Sequence, residues 1–276
     1  MSKGKKSIGI LLISMALSLC LVTAEGENCD PSYVLSENER FGFGVLGGIT
    51  QFDVGQLHAG WYVNWGTLSD LTHFAGLEFM QIIRVHGTTY WPGKAALEPV
   101  VEKNPGLTWI IGNEPDCIWQ DDTYPWHYAQ VYHELYTFLK EKDPTCKVAI
   151  GGVVQFTPLR RQYLDMVLSS YESRYGQKMP VDVWNVHNFI LQEKAGDWGC
   201  EIPPGISATQ GMLYTIQQHD NIVTKPYIFK EQIRKFREWM RDNGERDKPL
   251  IVTEYGILMP DRGDIVPRFD DQRVRT

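Results

Sequence analysis

Seven apolar runs, separated by amphipathic stretches, constrain this chain more than any other feature. The runs are Phe41–Val45, Ala59–Trp65, Met80–His86, Gly106–Gly112, Lys147–Val154, Val181–Leu191 and Pro249–Tyr255. Several are continuously apolar and bounded by Gly or Pro, the pattern of strands buried on both faces. Helical periodicity lies between them. Gly93–Lys103 is short, and Pro125–Lys142 carries Tyr128, Val131, Leu135 and Leu139 on one stripe. Pro158–Tyr175 presents Leu159, Tyr163, Met166 and Val167, and Phe229–Asn243 presents Ile233, Phe236 and Met240. Strand and helix in alternation give an α/β fold with a parallel sheet and right-handed crossovers.

No glycine fingerprint for a dinucleotide follows the first run, so the expectation is a (β/α)8 TIM barrel rather than a doubly wound sheet. With 276 residues, 43% of them hydrophobic, one such domain has ample core material. After the seventh run only Gly256–Thr276 remain, enough for a loop and the start of a helix. The barrel is therefore expected over residues 41–276, incomplete after strand seven. A barrel that ends there by nature would instead leave two strand edges unpaired.

The N-terminus reads as a signal peptide over residues 1–24. Lys3, Lys5 and Lys6 precede an apolar run, Ile8–Val22, and Val22-Thr23-Ala24 offers small residues for cleavage after Ala24. The run is short for a span of ~20 residues, so no stable membrane span is expected after cleavage, and the mature protein is expected to be secreted. Residues 25–40 are polar and irregular. Formal net charge is −7, with no basic cluster, which excludes a nucleic-acid binder dependent on phosphate contacts.

Past the signal segment stand Cys29, Cys117, Cys146 and Cys200, which allow three pairings in an oxidising compartment or none at all. Cys117 and Cys200 both follow strands, on the C-terminal face, whereas Cys146 precedes one. If any bridge forms, Cys117–Cys200 is the expected one; buried free thiols are the alternative. Residues 192–228 form the longest stretch without a clear element, and in a barrel it would sit over the active face as a lid or wall.

Two glutamates end buried strands: Glu114 after the fourth, in Gly112-Asn113-Glu114-Pro115-Asp116, and Glu254 at the seventh, in Val252-Thr253-Glu254-Tyr255-Gly256. Burying a carboxylate is costly unless it is paired, so folding alone does not explain them. Two facing carboxylates can cleave a glycosidic bond, one as proton donor and one as nucleophile.

In this order the motifs resemble those of clan A, the 4/7 superfamily of (β/α)8 retaining glycoside hydrolases, and in style families 39 and 128. The resemblance covers about residues 41–260. It implies that Glu114 is acid/base, that Asn113 bonds the sugar 2-hydroxyl, and that Glu254 is the nucleophile. It also implies that Arg84 lies beside the nucleophile and keeps it ionised. Facing carboxyl groups about 5–5.5 Å apart are expected for such an enzyme. A barrel that binds carbohydrate without cleaving it is the competing reading.

Arg84 and His86 alternate on the third strand and share a face, where a rim ion pair is the other role open to Arg84. His187 ends the sixth strand, placed to bind a sugar hydroxyl or touch Glu254. Trp65, Trp91, Trp119, Trp126 and Trp198 all follow strands and offer ring faces for a polysaccharide or oligosaccharide; Tyr255 joins this set. Trp109, Trp184 and Trp239 read as core. No metal-ligand spacing is present, so neither metal nor cofactor is expected.

Overall fold

All seven expected strands form, all but the last shorter than their apolar runs. The computed structural model describes residues 40–69, 76–213 and 227–256, which belong to one compact unit. The strands are β1 (Gly42–Gly44), β2 (Trp61–Val63), β4 (Gln81–His86), β6 (Thr108–Ile111), β7 (Lys147–Ile150), β8 (Trp184–Phe189) and β9 (Leu250–Gly256). Two further strands were not anticipated. β3 (Glu78–Phe79) pairs parallel with β2, and β5 (Thr89–Trp91) folds back antiparallel on β4. The helices are α1 (Lys94–Lys103), α2 (Pro125–Lys142), α3 (Pro158–Tyr175) and α4 (Tyr227–Asp242), within two residues of their expected bounds.

Ladder pairing is parallel within β1–β2–β3, β4–β6–β7 and β8–β9. Single parallel bridges, Ala149–Val183 and Val153–Val186, tie β7 to β8, and β9 comes up against β1. Side chains alternate between two apolar clusters. Ile83, Val85, Trp109, Ile111, Val148 and Trp184 pack with the helices, against Tyr128, Leu135, Tyr163 and Phe236. Ile82, Ile110, Ala149 and Val183 point the other way and meet Trp61, Val63 and Met80. Burial on both faces is why these strands read as continuous apolar runs. Trp109, Trp184 and Trp239 are fully buried, as expected of core.

Local signals set the helix ends. Proline occupies the first turn of α2 and of α3, where its missing N–H costs nothing. The Thr157 hydroxyl caps α3 by accepting from the Arg160 N–H, and Gly176 ends it in the left-handed region at φ 67°.

Among the described residues no helix is long and apolar enough to cross a membrane. The signal segment, most of residues 25–40, residues 214–226 of the long loop and everything after Gly256 lie outside the described residues.

Candidate active site

Glu114 is presented by a strained turn. β6 ends at Ile111, Gly112 takes φ 89° and Glu114 itself φ 46°. A left-handed conformation at a non-glycine residue costs about 1–3 kcal/mol and persists only where its surroundings over-determine it. They do so here. The Gly112 N–H donates to Ile83 O at 2.7 Å, the Asn113 N–H to Asp121 Oδ2 at 2.7 Å, and the Glu114 N–H to Gly152 O at 3.1 Å.

Glu254 is aimed by a bulge. On β9, Ile251 packs toward the inner cluster and Val252 toward the helices. Thr253 returns inward, its hydroxyl donating to Asn185 Oδ1 at 3.0 Å. Strict alternation would send Glu254 away from that face. The pairing of β8 with β9 instead shifts between Val186–Val252 and Asn188–Tyr255, so Thr253 and Glu254 together oppose His187. An extra residue of this kind re-aims a side chain, and Glu254 comes to lie inward with Glu114.

His187 stands between the two. Its Nδ1 is 2.8 Å from Glu114 Oε1 and its Nε2 is 3.5 Å from Glu254 Oε1. One oxygen from each glutamate and one ring nitrogen all lie within 4.8 Å of one another. The His187 side chain is 1% exposed, against 19% for Glu254. The ring therefore supports the carboxylates, and a substrate would reach Glu254. Gly152 makes room for the ring, because a Cβ there would sit 2.4 Å from His187 Cδ2.

Trp65 completes the cluster. It too adopts a left-handed conformation, φ 62°, and its indole N–H donates to Glu254 Oε1 at 2.6 Å. Its ring lies over Gly44 of β1, where a Cβ would come within 2.8 Å.

Glu114, His187 and Glu254 are donor types found in zinc sites, although no metal-ligand spacing marks them in the sequence. The imidazole lies between the carboxylates, with one nitrogen toward each. The three form a row, hydrogen-bonded at Glu114 and in ion-pair contact at Glu254.

No family model and no curated sequence matches the chain. Solved structures do. A family 128 (subgroup III) curdlan-specific exo-beta-1,3-glucanase from Blastomyces gilchristii, in complex with glucose, superposes with a TM-score of 0.53 at 15% identity, over 82% of this chain and 79% of that one. A family 128 (subgroup I) endo-beta-1,3-glucanase from Amycolatopsis mediterranei, in complex with laminaritriose, gives 0.44 at 16% identity, over 84% and 81%. A family 128 (subgroup VII) oligosaccharide-binding protein from Trichoderma gamsii gives 0.46 at 14% identity, over 86% and 74%. The α/β fold is shared with the first of these. That first structure comes from family 128, one of the two families whose motifs the sequence resembles.

Several expectations need correction. Arg84 does not reach Glu254. Its guanidinium pairs with Asp121, Nε to Oδ1 at 2.6 Å, and donates to Gln120 Oε1 at 3.2 Å, so the rim ion pair is the role it takes. Asp121, unnoticed in the sequence, also accepts from the Val85 and Asn113 N–H groups. It thereby clamps the Glu114 turn onto β4. The Asn113 side chain is buried and donates to Gln120 Oε1 at 3.4 Å.

Cys117 and Cys200 fall in one apolar cluster with Val154 and Leu191, but both are free thiols, as is Cys146. Burial pushes the Cys200 thiol up to about 12, leaving it protonated and inert. Residues 192–213 are not featureless. The Glu193 N–H donates to Met212 O at 2.8 Å and the Ala195 N–H to Thr209 O at 3.0 Å, which folds the segment into a hairpin-like lobe.

The aromatic set divides. Trp91, Trp119 and Tyr255 are exposed, by 51%, 64% and 77%, and free to meet a ligand. His86 is exposed on the same strand as Arg84, with Nδ1 3.1 Å from Asp121 O. Trp126 stacks on Tyr124. Trp198 packs against the Cys117–Cys200 cluster, and Trp65 serves Glu254 through its N–H rather than standing free.

The site's charges make stability depend on pH. Burial pulls His187 down, but the Glu114 hydrogen bond and the charges of Glu114 and Glu254 outweigh it and hold the ring above the ordinary imidazole value. Asp116 is raised to about 7, by burial first, with Arg160 opposing and the Glu114 charge adding. Both folded-state values lie above the unfolded ones. Each contribution is thus complete at low pH and is lost as pH rises through the folded value. For Asp116 the loss runs from near 3.8 to about 7, and for His187 it begins near 6.5. The urea midpoint should fall between about pH 5 and pH 9, and less steeply in His187→Gln. A midpoint constant over that range would contradict the assignment.

Proposed function

We propose that this chain is a secreted retaining glycoside hydrolase that cleaves β-1,3-linked glucan by double displacement. Glu114 is the acid/base and Glu254 the nucleophile, carried on a (β/α)8 barrel. The observation that carries this reading is the facing pair of carboxylates, bridged by His187, with oxygens within 4.8 Å. Oxygens that close favour direct attack on the sugar over the wider spacing by which inverting enzymes admit a water.

The chemistry follows from the side chains. Glu254, oriented by the Trp65 N–H, attacks the anomeric carbon while Glu114 gives its proton to the departing glycosidic oxygen. The Glu114 carboxylate so formed accepts from His187, then takes a proton from water as that water displaces Glu254. Barrel closure is supported by the parallel order of the strands and by the approach of β9 to β1. The substrate rests on the shared fold and on the exposed Trp91 and Trp119, flat surfaces for sugar rings. Secretion rests on the N-terminal segment, with cleavage after Ala24.

The test is a panel: curdlan, laminarin and laminari-oligosaccharides beside cellulose, xylan and chitin oligosaccharides. Release of glucose or laminari-oligosaccharides from the first group is expected. Tight binding of laminari-oligosaccharides without hydrolysis would mean a binding protein instead. Gly152→Ala sharpens the geometry. The added methyl must displace His187, and a misplacement of about 1 Å can cost ~10²-fold. Its kcat on laminari-oligosaccharides should fall on that scale while the circular dichroism spectrum is unchanged; an unaltered kcat would remove His187 from the account.

A further inference from the structure

The first turn of α3 carries a buried charge. Arg160 is fully buried, and its guanidinium reaches two segments that share no strand pairing with each other. On one side is the Glu114 turn. Arg160 Nη1 donates to Asp116 O, and Nε lies 3.4 Å from Asp116 Oδ2. On the other side is the 192–213 lobe. Nε donates to Glu193 Oε1 at 3.2 Å, and Nη2 donates to Cys200 O at 2.6 Å and Glu201 O at 2.7 Å.

The partners are themselves tied down. Asp116 accepts from the Val154 N–H, beyond the end of β7. Glu193 accepts from the Thr157 hydroxyl at 2.5 Å and from the Met212 N–H at 2.8 Å. A guanidinium is planar with donors in a fixed fork, so it sets the relative placement of its acceptors; an ammonium cannot. Asp116 is two residues from Glu114, and the Cys117 N–H closes the intervening turn onto Glu114 O at 3.0 Å.

We propose that Arg160 is a positioning residue that fixes the Glu114 carboxyl through Asp116 and locks the 192–213 lobe to the same frame. This rests on the reading of Glu114 as acid/base. Loss of the fork lets the Glu114 turn relax, which harms proton transfer and spares the nucleophile Glu254.

Two variants keep the fold. Arg160→Lys retains the charge without the fork, and Asp116→Asn retains the shape without the charge. Each is assayed on laminari-oligosaccharides, whose alkoxide leaving group needs a proton, and on a dinitrophenyl β-glucoside, whose leaving group does not. For glucoside the rate of dinitrophenolate release in the first turnover is read. General acid catalysis contributes about 10²–10⁴-fold, so kcat on the oligosaccharide should fall by about 30-fold or more, against less than about threefold for that release. Equal losses on both substrates, or no loss on either, would overturn the proposal.

Hydrogen exchange of the wild type and Arg160→Lys decides the tie without any turnover. Amide protection over 115–123 and 193–212 should drop together in the variant; loosening of one segment alone would refute the coupling. If the wild type cleaves no glucan, the functional reading falls, and exchange still passes judgement on Arg160.

Discussion

Glu254→Ala is expected to lose hydrolysis of every substrate, by about 10⁵-fold or more, the scale on which removal of a nucleophile silences covalent catalysis. Trp65 and His187 are the other groups close to its carboxylate, and neither is placed to form the glycosyl bond. The indole N–H is a donor only, and the His187 ring is sealed from solvent with Nδ1 engaged by Glu114. Azide should enter the space left by the carboxylate and attack from that side, so an activated β-glucosyl substrate should yield the α-glucosyl azide. Retention of more than about a hundredth of the activity would mean that another group forms the bond.

Glu114→Ala should fail differently. With a dinitrophenyl leaving group the glycosyl-enzyme still forms, because departure needs no proton, and it then accumulates for want of a base. Hydrolysis of laminari-oligosaccharides should drop by about 10²–10⁴-fold. Azide needs no base, so it should restore turnover and give the β-glucosyl azide. Product configurations swapped between the two variants would exchange the roles of Glu114 and Glu254. In Glu114→Ala the partner of His187 Nδ1 is also lost, so the ring should titrate closer to the ordinary imidazole value, which nuclear magnetic resonance can follow.

The strands and helices could be read in the sequence because burial on both faces leaves an unbroken apolar run between breakers. Pro125 and Pro158 mark helix starts that match to the residue. The two glutamates were readable for a related reason: an acidic residue at the end of such a run has no folding rationale. Apart from His187, offered as touching Glu254, what surrounds them was not. Glu254 owes its direction to one extra residue on β9, and a bulge is a property of pairing between two strands. The Trp65–Glu254 bond joins positions 189 residues apart. Asp121 was hidden because its acceptor work is all for backbone N–H groups and Arg84, which leave no periodic trace. Arg84 was left between two roles for the same reason, since the partner that decides for the rim ion pair sits in a loop. Of the two readings open for the cysteines, buried free thiols is the one that stands; Cys117 and Cys200 fill apolar space beside Val154 and Leu191. One glycine gave a further clue that went unused. Gly152, after β7, is the close approach that seats His187.

The central claim is that Glu254 bonds covalently to the sugar while Glu114 manages the proton. An activated 2-deoxy-2-fluoro-β-glucoside slows the second displacement and traps the first. Incubation should raise the intact mass by one fluoroglucosyl unit, and peptide mapping should put that unit on Glu254. A protein that hydrolyses β-glucan yet takes no label, or takes it on Glu114, would contradict the account.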